Sequence, residues 1–375
     1  MTKKIAILTQ PLHTNFGGTL QAYALQKVLK NMGHEVETIN YRSKEASDLR
    51  KLLSAFKQIF KCSDIFQFNS KQLEKIQAQH KKFISSYIDL SVEINNVDQL
   101  SAYFLNKKFD AVVVGSDQVW RADYSPRIES YFLDFLELST PIRKISYAAS
   151  FGLDTWNFSK EMTLKLAEHA GNFNSISVRE NSAVGLCKQN LNVAAQQVLD
   201  PTLLLDRNDY IKLLNNNKPK NNNKIFRYIL DMTEHKQNIV NKISEQLGGK
   251  QVFINQPLKK HKDKFILNDL SDYVYPSIES WIKSFDEADF IITDSFHGTV
   301  FSIIFNKPFI SIKNKERGNS RFETLLKIFG LEDRLIEDLD DIDIKKLNNI
   351  DYEKVNTIRK EKAIESLSWL RNSLV

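Results

Sequence analysis

Short apolar runs recur along this 375-residue chain, each followed by a polar loop and a helical stretch, and one segment interrupts the series. Ile5-Ala6-Ile7-Leu8 is the first such run. A run this short and apolar at every position reads as a strand buried on both faces, the signature of a parallel sheet. A loop at 10–18 follows, then a helix from Leu20 to about Met32 that Gly33 stops, then a second strand at 35–39. Strand, loop, helix and strand make a parallel βαβ unit. Further strands are expected at 110–114, 145–148 and 175–178, with a helix at 160–170. Two helical stretches insert near 45–90. Leu49, Leu52, Leu53, Phe56 and Phe60 mark a face of the first, beside Arg50, Lys51, Lys57 and Lys61; Leu73, Ile76, Phe83, Ile84 and Tyr87 mark the second. The interruption, 215–224, is almost entirely Asn and Lys and reads as an exposed linker or loop. Beyond it, strands are expected at 225–230, 251–254, 290–293 and 309–312, and a last helix at 352–371.

This pattern predicts an α/β protein with two doubly wound, Rossmann-like domains facing a cleft. The first spans 1–214, the second 225–350, and residues 351–375 form a helix packing back towards the first. Sheets of this kind bind ligands beyond the carboxyl ends of their strands, so the loops there carry the functional candidates. The 52 Lys and Arg residues exceed the 46 acids by a net charge of +6. That small excess suits anionic small substrates or an acidic membrane surface, and without a basic stripe it does not mark a nucleic-acid binder. Cys62 and Cys187 are the two cysteines, which argues against a disulfide scaffold or a cysteine zinc site and for a reducing compartment. The apolar run after Lys3-Lys4 is too short for a secretion signal, and no stretch approaches the ~20 apolar residues of a membrane span. The expected location is the cytoplasm. The basic helix at 49–61 either packs on the core or touches the inner leaflet of the membrane.

Four strand-end loops stand out. In Asn15-Phe16-Gly17-Gly18-Thr19-Leu20-Gln21, glycines permit close backbone approach and a helix N-terminus offers N–H groups to an anion, unless this is a plain strand-to-helix turn. Gly115-Ser116-Asp117-Gln118-Val119-Trp120 brings a hydroxyl, a carboxylate and an amide to a sheet edge, with Trp120 as a platform for a sugar ring. The same residues also suit a capped turn with Trp120 in the core. Arg179, in Ser177-Val178-Arg179-Glu180, either clamps a phosphate or carboxylate or pairs with Glu180 or a surface acid. Finally, Thr293-Asp294-Ser295-Phe296-His297-Gly298-Thr299 sets His297 at the start of a helix; a lone histidine there is either structural or, among converging polar groups, catalytic.

These loops, in this order, resemble the polysaccharide pyruvyl transferase family. The resemblance is carried by Asn15 to Leu25, Gly115 to Trp120, Ser146 to Gly152, Ser177 to Glu180, Asp200-Pro201-Thr202 and Phe296-His297-Gly298, and runs from Lys4 to about Leu335. One departure stands out: many members have arginine two residues before the histidine, where this chain has Ser295. Arg179, Arg317 and Arg321 are the candidates to replace it. The resemblance implies a fold similar to GT-B glycosyltransferases, phosphoenolpyruvate as donor, no metal or other cofactor, and a sugar acceptor, usually lipid-linked, that becomes a cyclic pyruvate ketal of a capsule, cell wall or exopolysaccharide.

Phosphoenolpyruvate is highly anionic, so Arg179, Ser295, Gly298, Thr299, Arg317 and Arg321 are expected around it. Ketal formation needs a proton on the methylene carbon and removal of a proton from an acceptor hydroxyl. His297 is the expected acid and Asp117 a plausible base. Asn15, Gly17, Gly18, Gln21, Ser116, Gln118 and Trp120 are assigned to the acceptor. Two other functions fit the same loops: a GT-B-like glycosyltransferase using a nucleotide sugar, and a non-catalytic carbohydrate-binding protein.

Overall fold

Residues 1–42, 68–125, 127–214, 223–259, 270–314, 317–338 and 349–375 are described by the computed structural model. The basic helix expected at 49–61, with Cys62, and residues 215–222 of the Asn/Lys segment lie outside them.

The chain forms two compact units. The first comprises Met1–Val198, Pro257–Tyr275 and Leu370–Val375; the second comprises Leu199–Gln256 and Pro276–Trp369. The first unit is built on β1 (Lys4–Leu8), β2 (Glu35–Thr38), β3 (Ala111–Asp117), β4 (Arg143–Ala149), β5 (Ser175–Val178) and β6 (Gln196–Gln197). They form one parallel sheet in the order β2-β1-β3-β4-β5-β6. Val112, Val113 and Val114 of β3 are fully buried, as the unbroken apolar run requires. Helices α1 (Phe16–Asn31), α2 (Ser70–Tyr87), α3 (Val97–Lys107), α4 (Lys160–Ala170) and α5 (Asn181–Leu186) complete the unit. Helix α1 starts before Leu20 because Asn15 caps it, its side chain accepting the Gly18 N–H at 3.1 Å.

The second unit carries its own parallel sheet of β7 (Ile225–Tyr228), β8 (Val252–Ile254), β9 (Phe290–Thr293), β10 (Phe309–Ile312) and β11 (Leu335–Ile336), ordered β11-β10-β9-β7-β8. Its helices are α6 (Arg207–Ile211), α7 (Glu234–Gln246), α8 (Ile278–Glu287), α9 (Phe296–Ile304), α10 (Ser320–Phe329) and most of α11 (Tyr352–Leu374). Strands on the two sides of the Asn/Lys segment thus belong to separate sheets.

The unit boundary, at Val198 and Leu199, falls ahead of the expected one. Residues 199–214 pack in the second unit because their anchors are there: the Tyr210 ring meets Phe301 at 4.9 Å, Arg359 donates to the Leu205 carbonyl, and Leu199 N–H donates to Ser366 Oγ. Helix α11 counts with the second unit through Trp369, and its last residues count with the first. There, Arg143 and Lys3 donate to the carbonyls of Ser373 and Leu374.

Strand order fixes where each unit can bind a ligand. In the first sheet the chain leaves β1 for β2 on one side and reaches β3 on the other. In the second it leaves β7 for β8 and returns to β9 on the far side. Loops diverge at such switch points and open a crevice. The loops after β1 and β3, and those after β7 and β9, therefore hold the candidates.

Candidate active site

In the second unit, the segment from β9 to α9 is fixed from below. Thr293 Oγ1 donates to the Tyr228 carbonyl at 2.7 Å and accepts the Ser295 N–H at 3.0 Å. Asp294, fully buried, accepts N–H groups of Leu230 and Asp231 and the Lys236 ammonium, the last at 2.7 Å, so the loop after β7 is bound to the loop after β9. Ser295 caps α9, its hydroxyl accepting the Gly298 N–H at 3.4 Å. Only glycine fits at 298, because a Cβ there would lie 2.1 Å from Thr293 Oγ1. The Thr299 hydroxyl is within 2.6 Å of Ser311 Oγ and donates to the Ser295 carbonyl. Thr299 is fully buried and ties α9 to β10, so the structure gives it a bracing role where donor binding was expected.

These braces hold His297 in the first turn of α9, 7% exposed. Its Nε2 makes no hydrogen bond and faces Asp200 Oδ2 at 3.7 Å. The other oxygen of Asp200 accepts the backbone N–H and the hydroxyl of Thr202, at 3.0 and 2.6 Å, which fixes the carboxylate's direction. A histidine beside a carboxylate is a recurrent acid–base arrangement. Sequence reasoning quoted Asp200-Pro201-Thr202 for the resemblance but gave it no role; the signal was an aspartate followed by proline and threonine, an Asx turn.

Of the expected donor arginines, two lie in this unit. Arg317 forks onto Asp231, with Nη2 to Oδ1 at 3.2 Å, and Asn314 donates to the same carboxylate. Arg321, 6% exposed, stands with its guanidinium 5.7 Å from the Phe296 ring centroid, and that ring in turn meets the His297 ring edge-on at 5.3 Å. Arg321 also donates to the Arg317 carbonyl. It is thus one ring away from the histidine.

In the first unit, β3 ends in a strained turn. Gly115 has φ +121°, and a Cβ there would lie 2.2 Å from the Tyr147 carbonyl oxygen. Asp117 has φ +72°, a left-handed conformation unusual for a side chain-bearing residue. Strain of this kind concentrates at functional sites. Asp117 Oδ1 lies 3.3 Å from Arg179 Nη2, both side chains nearly buried. Arg179, expected to clamp a donor anion, is thus held against a carboxylate, and this carboxylate belongs to Asp117 and not to Glu180. Glu180, fully buried, accepts instead from Ser150 Oγ and the Phe151 N–H at 2.9 and 3.0 Å.

Several residues expected to touch the acceptor brace this turn. Gln21, fully buried, donates to Thr9 Oγ1 and the Gly18 carbonyl and accepts the Ser116 N–H. Ser116 is fully buried and its hydroxyl accepts the Asp117 N–H. Gln118 accepts from Arg121 through its side chain and from Gln10 through its carbonyl. Gly17 and Gly18 are buried in the first turn of α1, behind Asn15. Trp120 is fully buried, its ring stacked on Phe132 at 4.9 Å and its N–H donated to the Tyr131 carbonyl. The sugar platform is thereby corrected: both the face and the polar edge of that indole are taken by the core. Among the described residues no group of three or more His, Cys, Asp or Glu side chains could hold a metal ion, and no helix is long and apolar enough to cross a membrane.

Two Rossmann-like α/β units, each a parallel sheet with alternating helices, define a fold similar to that of GT-B glycosyltransferases. The structure of MnaA from S. aureus with UDP is similar over 94% of this chain and 91% of that one, with a TM-score of 0.50 and 12% identity. The glycotransferase of kitacinnamycin matches over 99% and 97%, with a TM-score of 0.47 and 12% identity. Among curated proteins no sequence matches the chain. The sequence model of the polysaccharide pyruvyl transferase family matches residues 15–316, and the chain belongs to that family. It is a transferase enzyme, a pyruvyl transferase of polysaccharide biosynthesis.

Proposed function

We propose that the enzyme transfers the pyruvyl group of phosphoenolpyruvate onto two hydroxyls of one sugar, forming a cyclic ketal of a capsule, cell-wall or exopolysaccharide, at the cytoplasmic face of the membrane. The observation that carries this reading is His297: a nearly buried imidazole at a helix N-terminus whose Nε2 makes no hydrogen bond and lies 3.7 Å from the Asp200 carboxylate. Its proton goes to the methylene carbon of the donor, making it a methyl and leaving an oxocarbenium-like centre at the neighbouring carbon. One sugar hydroxyl adds there and loses its proton, phosphate leaves with the electrons of its C–O bond, and the second hydroxyl closes the ring. Two hydroxyl protons are released; one restores the histidine and the other leaves with phosphate. No electron carrier is called for, and the reaction as written needs no cofactor besides the donor.

Arg321 takes the place of the arginine that Ser295 displaces, since it is the buried cation that shares an aromatic neighbour with His297. Asp117 is the proposed base for the acceptor hydroxyl, with the Arg179 guanidinium 3.3 Å from its carboxylate.

Carbon protonation gives the test. In deuterated water, solvent deuterium must appear in the product methyl group. His297→Gln must lose about 10²–10⁴ in kcat with a smaller change in donor KM, because an amide holds the helix end but delivers no proton. A His297→Gln enzyme that keeps its kcat, or a methyl group free of deuterium, overturns the reading. Thermal stabilisation by nucleotide sugars and not by phosphoenolpyruvate would point to glycosyl transfer instead.

A further inference from the structure

The first unit holds a cavity of about 390 Å³ that the chemistry above does not use. It is lined by Leu12 and His13 from the loop after β1, by Arg42 beyond β2, by Gln77, Lys81, Ile84 and Ser85 of α2, and by Ile88, Leu90 and Ser91. Three of these side chains are cationic or can become so, and no carboxylate is among them. Arg42 is held in place: its Nη2 donates to the Leu12 carbonyl, its Nε donates to Asn40 Oδ1 at 2.9 Å, and Glu93 stands 3.9 Å away. By contrast, Lys81 and Gln77 have no hydrogen-bonded or ionic partner among the described residues. Donors without acceptors, beside a fixed guanidinium, define a place for an anion.

The same loop joins this cavity to the Asp117 turn. Gln10 donates to the Gln118 carbonyl at 2.9 Å and to Ser125 Oγ at 2.8 Å, and Leu12 and His13 follow into the cavity wall. Desolvation and then the Arg42 guanidinium lower the His13 pKa, while the Asp117 carboxylate opposes them, so the imidazole lies within electrostatic reach of both. Leu12, Ile84, Ile88 and Leu90 give the cavity an apolar wall, and its volume falls in the ~300–1,000 Å³ range of small-molecule sites. A three-carbon phosphate has no use for such a wall. A larger ligand with a phosphate at one end and an apolar face beyond it does.

We propose that this cavity binds a phosphate or diphosphate group carried by the acceptor sugar, so that the enzyme selects phosphorylated acceptors and presents them beside Asp117. The proposal rests on the pyruvyl-transfer reading for the word acceptor, and its test does not depend on turnover. Such a group reaches a sugar from two sources, a nucleoside diphosphate or a lipid diphosphate, and the same cations would hold either.

Isothermal titration of the full chain with inorganic pyrophosphate is the first arm. Pyrophosphate should bind, and Lys81→Met and Gln77→Leu should each weaken it, Lys81→Met by about fivefold for a single exposed charge. Both variants should melt with the parent and bind phosphoenolpyruvate as the parent does. A nucleoside-diphosphate sugar and a sugar diphosphate on a short isoprenoid chain form the second arm; the one bound more tightly than pyrophosphate identifies the source. The proposal is overturned if the parent does not bind pyrophosphate, if Lys81→Met binds it equally well, or if Lys81→Met loses phosphoenolpyruvate instead. It also falls if neither sugar diphosphate binds better than pyrophosphate. Should phosphoenolpyruvate prove inert while pyrophosphate binding depends on Lys81, the pyruvyl reading fails and the anion site stands.

Discussion

In the proposed reading, Arg321 is a side chain distant in sequence that takes over a local role. Where many relatives of the family place arginine two residues ahead of the histidine, this chain has Ser295, and that serine instead caps α9. An arginine at 295 would forfeit that cap, and the cation proposed in its place, Arg321, comes from α10, with its guanidinium 5.7 Å from the Phe296 ring centroid. Removing a nearly buried charge that faces an anion costs about 2 kcal/mol or more, roughly 30-fold in affinity. Arg321→Ala should therefore raise the donor KM at least about 30-fold, measured by initial rates, whereas Arg317→Ala should act mainly through stability, because Arg317 already forks onto Asp231. Equal KM values for Arg321→Ala and the parent would remove Arg321 from the donor site. None of this was readable at the sequence level. Arg179 was the first choice there and Arg317 and Arg321 its substitutes, because the carboxylates that hold Arg179 and Arg317, Asp117 and Asp231, are 62 and 86 residues away along the chain.

Elements were more legible than partners. The apolar runs at 5–8, 290–293 and 309–312 all became strands, because a residue buried on both faces of a sheet must be apolar wherever it falls. Periodicity left out α3, whose buried positions reduce to Leu100 and Phe104, the short helices α5 and α6, and the two-residue strands β6 and β11. An element that buries so little leaves little pattern to read. Helix α1 was expected from Leu20, yet it starts at Phe16, since its first turn of Phe-Gly-Gly-Thr has poor helical propensity and is held by the Asn15 cap. Losing such a cap costs about 1 kcal/mol. Asn15→Ala should thus lower the melting temperature by a few degrees and Asn15→Asp should restore it, as followed by calorimetry; a melting temperature unchanged by Asn15→Ala would show that packing alone sets the start of α1. The site residues of the loop after β1 were legible as polar groups at a strand end, but which of them face solvent was not. Gln21 and Trp120 look the same in sequence whether they meet a sugar or a neighbouring strand.

At the scale of the whole molecule, a buried side chain should make stability sensitive to acid. His80 of α2 is fully buried, with its ring against Phe16 at 4.7 Å and Tyr275 at 5.5 Å, and neither ring nitrogen has a hydrogen-bond partner. Burial, helped by the nearby His13, lowers its pKa from 6.5 to about 4. The unfolded chain takes up this proton near pH 6.5 and the folded one resists until about pH 4, so stability is lost as pH falls between those values, by at most about 3 kcal/mol. His80→Phe should flatten that part of the profile in urea melts between pH 7 and 4.5, and a slope identical to the parent's would assign the acid sensitivity elsewhere. A different vulnerability follows from the last turn of α11, whose carbonyls at Ser373 and Leu374 receive Arg143 and Lys3. Residues 370–375 are synthesised after the entire second unit, so a ribosome that has already released β1 to β6 still holds back the acceptors for Arg143 of β4 and for Lys3, just ahead of β1. The first sheet must wait, incompletely fastened, through the translation of the second, and in that interval a chaperone or a protease would meet it.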